Sequence, residues 1–159
     1  MTVWKREFSL ETLNRHLEGD SPRALSGHLG MRAESFGDDH LVFSMPVDRR
    51  THQPMGLLHG GASVALAETV GSVAANLTLP LEEIALGQEI NANHLRAVRS
   101  GRVYGTARAL HLGGRSQVWS IEIRDEAGRL ACISRLTMAV LPRPADTTPF
   151  HAEPGIPQD

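Results

Sequence analysis

The chain is poor in the features that announce most function classes. Its 159 residues include one cysteine, Cys132, so no internal disulfide can form, which suits a reducing compartment. Cys132 lies in the apolar run RLACISRLTMAVL, where a buried filler is expected rather than a reactive thiol. Neither sign of charge dominates: 16 Lys and Arg face 18 Asp and Glu, which provides no basic footprint for nucleic acid. No apolar run approaches the ~20 residues of a membrane span, and the N-terminal MTVWKREFSLETLNRHL is charged and amphipathic, without a signal core. A cytoplasmic protein with no membrane or nucleic-acid partner is expected. The G-x-S-x-G elbow of serine hydrolases is missing. So are HExxH and any paired Cys/His spacing, so the eight histidines are not expected to hold a metal.

What is present reads as one domain. SLETLNRHL opens with Ser9 as an N-cap and sets Leu10, Leu13 and Leu17 at helical spacing, predicting a short leading helix. LGMRAESFG and HLVFSMPVD, separated by GDD, predict a strand hairpin. From Ala62 to Leu77 the chain is rich in Ala, Val and Leu at all phases, which predicts a long helix wrapped on nearly every side. Four extended segments follow, joined by RSG, GGR and EAG, and read as the hairpins of a meander. The fold class is α+β: an antiparallel sheet curled round one long central helix. The domain is expected to end at 141. Residues 142–159, with five of the nine prolines, are expected to form a flexible C-terminal tail.

Glu68 raises the chemical question. It is the only acidic or basic residue besides His59 in LLHGGASVALAETVGS, and no Lys or Arg occurs between Arg50 and Arg96. Such a carboxylate either sits at a solvated edge or is kept for chemistry. Gly60 and Gly61 either let the chain turn tightly into the helix or leave its first N–H groups open to a developing oxyanion. Eight residues separate Gly60 from Glu68, about 12 Å along a helix, too far for both to reach one carbonyl. Two copies with these helices antiparallel would bring Gly60 of one chain to Glu68 of the other, making an interface site.

HGGASVALAETVGS, preceded by THQPMGLL and followed by GQEINANHLR and HLGGRSQVWSIEI, closely resembles the hotdog-fold acyl-CoA thioesterases. The likeness spans Trp4 to Leu141 and is strongest to the branch acting on aromatic acyl-CoA of the 1,4-dihydroxy-2-naphthoyl-CoA and 4-hydroxybenzoyl-CoA type. The resemblance implies a hotdog fold, an active homodimer assembling to a homotetramer, an acyl-CoA substrate and no cofactor. It implies that Glu68 is the catalytic carboxylate, acting as nucleophile or as general base, and that the Gly60 N–H polarises the thioester carbonyl. Gln53 would orient the acyl part or the attacking water, with His59 and Ser72 in support.

Substrate-binding candidates follow from chemistry. Arg96 and Arg115 suit the phosphates of coenzyme A, and Gly113 and Gly114 expose backbone donors beside Arg115. The alternative is a pair of solvated strand-end arginines. His94 shares a strand face with Ile90 and Ala92 and either lines the acyl pocket or is structural. Met55, Leu57, Leu58 and Val73 would give an apolar pocket of moderate size. Two rivals remain open: a hotdog hydratase pairing His59 with Glu68, and an acyl-CoA-binding protein without catalysis.

Overall fold

The computed structural model of the protein describes residues 1–18 and 24–147. Its elements are α1 (Leu10–Glu18), α2 (Leu25–His28), β1 (Arg32–Phe36), β2 (His40–Pro46), α3 (Gly60–Leu77), β3 (Glu83–His94), β4 (Arg102–Leu112), β5 (Ser116–Asp125) and β6 (Leu130–Pro142). Helix α1 starts as its sequence predicts. The Ser9 Oγ accepts from the Thr12 N–H at 3.1 Å, and Leu13 and Leu17 turn into the core. The single-turn α2 carries no periodic signal and was not expected. Asn14 on α1 pairs with both backbone groups of Ala33, tying α1 to β1 where that strand bulges.

All six strands form one antiparallel sheet in the order β1-β2-β4-β5-β6-β3. It curls round α3, whose Leu66, Ala67, Val70 and Ala74 are fully buried against Phe43, Trp119, Ile121 and Leu136. The order corrects the expected meander. GGR and EAG are hairpin turns, but RSG is not, because β3 pairs with β6 at the far edge and not with β4. The connection between β3 and β4 crosses the end of the sheet, where the Leu95 and Arg96 N–H groups donate to the Ala131 carbonyl and the Leu58 N–H donates to the Val98 carbonyl. A local turn signal cannot say which strands it joins. Closing the sheet over α3 requires the strand after the helix to take the open edge of β6.

A second correction concerns α3. It is not wrapped all round, since its own sheet leaves a stripe open at helical spacing, with Gly61 and Glu68 exposed and Val64, Ala65, Ser72 and Asn76 half-buried. Among the described residues no helix is long and apolar enough to cross a membrane. Pro142 still belongs to β6, and Arg143 donates from its backbone to Glu82 and from its guanidinium to Leu81 and Thr147. The remainder of the expected tail, 148–159, lies outside the described residues.

Candidate active site

The candidate residues fall in two groups, one at the N-terminal end of α3 and one from its middle onward, each with its flanking strands. At the N-terminal end, His59 is the N-cap, and its Nδ1 accepts from the Gly61 N–H at 2.8 Å. That bond fixes the tautomer, with the proton of a neutral ring on Nε2. It also consumes one of the helix's first donors and leaves the neighbouring Gly60 N–H with no acceptor among the described residues. A cavity of about 360 Å³ opens here, lined by Gln53, Leu58, Gly60, His94 and Arg96 among others. Five expected site residues are thus brought together. The imidazole of His94 lies against the helix start so closely that a side chain at position 60 would meet its Nε2 at 2.8 Å. Any larger residue there would displace the imidazole. Cys132, opposite His94 in the β3–β6 register, is buried, and burial pushes its thiol up, so it fills space as expected.

Gln53 is oriented by its own loop. Its Oε1 accepts from the Met55 N–H, and only an oxygen can do so. The Nε2 group is therefore the polar face of Gln53 left for the cavity. Met55 itself is 76 % exposed at the tip of that loop and does not line the cavity in the single chain. Upstream, Asp48 holds the loop by accepting from the Arg50 guanidinium and backbone, and these bonds lower its carboxyl to about 2.

Glu68 sits elsewhere. The unbroken helix places it about 12 Å along the axis from Gly60, on the open stripe and exposed, as a carboxylate at a solvated edge of the single chain would be. Its carboxylate lies over Gly87 of β3, where an added Cβ would come within 2.9 Å of Oε1. Ser72, one turn on, places its hydroxyl 3.9 Å from the Met138 sulfur, and Met138 is the register partner of Gly87. Gly87 and Met138 were not singled out from sequence. A glycine interrupting a strand pattern is the signal that marks Gly87.

The two arginines are far apart. The Arg96 N–H donates to the Ala131 carbonyl and the Arg115 carbonyl accepts from the Val140 N–H, so they flank opposite ends of β6, about 30 Å apart along a strand of ~3.3 Å per residue. Gly114 and Arg115, both exposed, lie toward the Glu68 end, and Arg96 lies in the Gly60 cavity. One chain cannot apply both to one phosphate group. A further cavity of about 370 Å³ on the outer side of the sheet touches Val3, Asp39, Arg108 and Leu110 and holds none of the expected site residues. Its Arg108 is already bound to Asp39 at 2.6 Å. Among the described residues no cluster of His, Cys, Asp or Glu has the arrangement to hold a metal ion.

Residues 55–132 match the family model described as Thioesterase superfamily. The chain is 57 % identical over 139 residues to the 1,4-dihydroxy-2-naphthoyl-CoA hydrolase of Escherichia coli, covering 87 % of this chain and 99 % of that protein. It is 52 % identical to a proofreading thioesterase of Cronobacter turicensis, over 87 % of this chain and 98 % of that one. A crystal structure of a thioesterase from Haemophilus influenzae superposes with a TM-score of 0.85 at 48 % identity, covering 89 % of this chain and 96 % of the other. A curled antiparallel sheet round one helix, a helix start with a vacant N–H and a carboxylate two turns on thus occur in a chain that belongs to the thioesterase superfamily, a thioester hydrolase of the hotdog fold.

Proposed function

We propose that the protein hydrolyses aromatic acyl-CoA thioesters at sites shared between two copies of the chain. The observation that carries this reading is the division of the candidate residues into two half-sites. Gln53, Leu58, His59, Gly60, His94 and Arg96 gather at the start of α3, with Met55 on the adjoining loop, while Glu68, Ser72, Gly114 and Arg115 lie toward the other end. A two-fold axis that sets two α3 helices antiparallel joins the first half of one copy to the second half of the other, twice. The open stripe on α3, small and polar apart from Val64, suits that contact.

In each site the Gly60 N–H of one subunit, with the positive end of its helix, polarises the thioester carbonyl and holds the developing oxyanion. Glu68 of the other subunit supplies the carboxylate, either attacking the carbonyl carbon to form a mixed anhydride that water then opens, or taking the proton from an attacking water. On both routes the C–S bond breaks, the coenzyme leaves as its thiol, and water supplies the oxygen of the released carboxylic acid. No cofactor enters. Arg96 and Arg115, from different subunits, bind phosphates of the coenzyme, and Gly114 adds a backbone donor. Two such dimers form a cytoplasmic homotetramer. The aromatic acyl group draws support from the Escherichia coli relative, named for a naphthoyl thioester, and from the apolar Leu57 and Leu58 in the cavity.

The test is a panel of aryl and alkyl acyl-CoA thioesters. A kcat/KM at least about tenfold higher for the aryl members is expected. Equal or greater rates with alkyl chains would remove the aromatic assignment.

A further inference from the structure

Glu68, Ser72 and Asn76 follow one another at four-residue steps on a single ridge of α3, and that ridge runs against the first half of β3. Asn76 makes an unusual contact there. Its Nδ2 donates to the Ala85 carbonyl at 3.0 Å and to the Ser72 carbonyl at 2.9 Å, while its Oδ1 accepts from the Ala85 N–H at 3.0 Å. The side-chain amide thus occupies the place of a neighbouring strand's peptide group at the outer edge of β3, engaging both backbone groups of one residue. Two residues later comes Gly87, whose missing Cβ leaves the space filled by the Glu68 carboxylate. Immediately after it the strand bulges: Gly87 pairs with Met138 and Glu89 with Thr137, so Gln88 is an extra residue that re-aims the strand beyond the carboxylate.

We propose that Asn76 and Gly87 are positioning residues for Glu68: Asn76 locks the start of β3 to the helix two turns beyond the carboxylate, and Gly87 is the seat into which that carboxylate fits. The inference rests on Glu68 being the reacting carboxylate. Neither residue touches substrate. Ala85 is buried and held on its other side by β6, so the Asn76 contact fixes the strand relative to the helix rather than merely covering it. At Gly87 the atom that an alanine would meet is the far end of a flexible side chain, so the substitution moves Glu68 and leaves the fold.

The experiment compares Gly87→Ala, Asn76→Ala, the double variant and Glu68→Ala by steady-state kinetics on an aryl-CoA thioester, with melting temperature and oligomeric state recorded for each. Displacing the carboxylate by about 1 Å is expected to lower kcat by roughly ten- to a hundredfold in each single variant. KM should stay within about twofold, because the substrate contacts are elsewhere. Since both substitutions act through the same carboxylate, the double variant should be scarcely slower than the slower single one. Wild-type kcat in a folded Gly87→Ala protein, or losses that multiply in the double variant, would overturn the proposal while an inactive Glu68→Ala left the reading of Glu68 standing. An active Glu68→Ala would instead remove that reading, and the positioning role with it. Failure of both single variants to fold would make the contact a stability device and overturn the proposal as well.

Discussion

Glu68 is the one charged side chain on a helix made otherwise of Ala, Val, Leu, Gly, Ser, Thr and Asn, and at the residue scale it has no ion-pair partner among the described residues. Glu68→Ala and Glu68→Gln should therefore fold and assemble normally while losing about a hundred- to ten-thousandfold in kcat, read by thiol release with a chromogenic reagent. Turnover within about tenfold of wild type would remove Glu68 from the chemistry. Arg96→Ala and Arg115→Ala should raise KM more than they lower kcat, because a remote phosphate is held equally in ground and transition states. A pantetheine thioester without the nucleotide should be indifferent to both substitutions, and equal sensitivity would show that the arginines do not bind phosphate. Asp48 gives a pH prediction. Its hydrogen bonds to the Arg50 side chain and backbone hold its carboxyl at about 2, below the ordinary 3.8 that an unfolded chain shows. A value depressed in the folded state contributes stability above about pH 4 that is lost as pH falls through 2. Urea unfolding should thus separate wild type from Asp48→Asn at pH 5, with the gap narrowing as pH falls from about 4 and closing only below about 2.

At the scale of elements, the far end of α3 is anchored by a buried polar chain. The Trp119 Nε1 donates to the Gln117 Oε1, the Gln117 Nε2 donates to the Thr78 Oγ1, and the Thr78 hydroxyl donates to the Ala75 carbonyl, with Gln117 and Trp119 essentially inaccessible. Gln117→Leu keeps the bulk but orphans the buried indole N–H, at a cost of about 1–3 kcal/mol. Differential scanning calorimetry should show a melting temperature several degrees lower, and an unchanged one would mean that the indole finds another acceptor. Elements were also where the sequence was most and least informative. Period and caps identify α1, α3 and every strand, because each signal is local: Ser9 before Leu10, alternation in HLVFSMPVD, glycine at the hairpin tips. The pairing of β3 with β6 is not local. RSG has the composition of a hairpin turn, yet Val98 between the strands is buried and the connection crosses the sheet end. The seat at Gly87 was equally hidden, since the residue that fills it lies 19 positions earlier on another element.

For the whole molecule, the decisive observation is that one chain holds Gly60 and Glu68 about 12 Å apart, whereas the proposed reaction needs them together. The glycine pair and Glu68 stood out in the residues themselves and Gln53 through the family resemblance, and the helical rise from Gly60 to Glu68 already pointed to a site between two chains. The open stripe on α3 was not legible, because apolar residues at all phases describe a helix that will be covered without saying by which molecule. The most direct test of the shared site mixes two inactive parents, Glu68→Ala and Gly60→Pro, under conditions that exchange subunits. Proline removes the N–H at the first helical position, where its ring is otherwise tolerated, and any shift it forces on His94 stays within the same half-site. Each mixed dimer then holds one intact site and one doubly defective site, and with random exchange about a quarter of wild-type activity should return. A mixed dimer demonstrated by native mass spectrometry that recovers no activity would contradict the shared site.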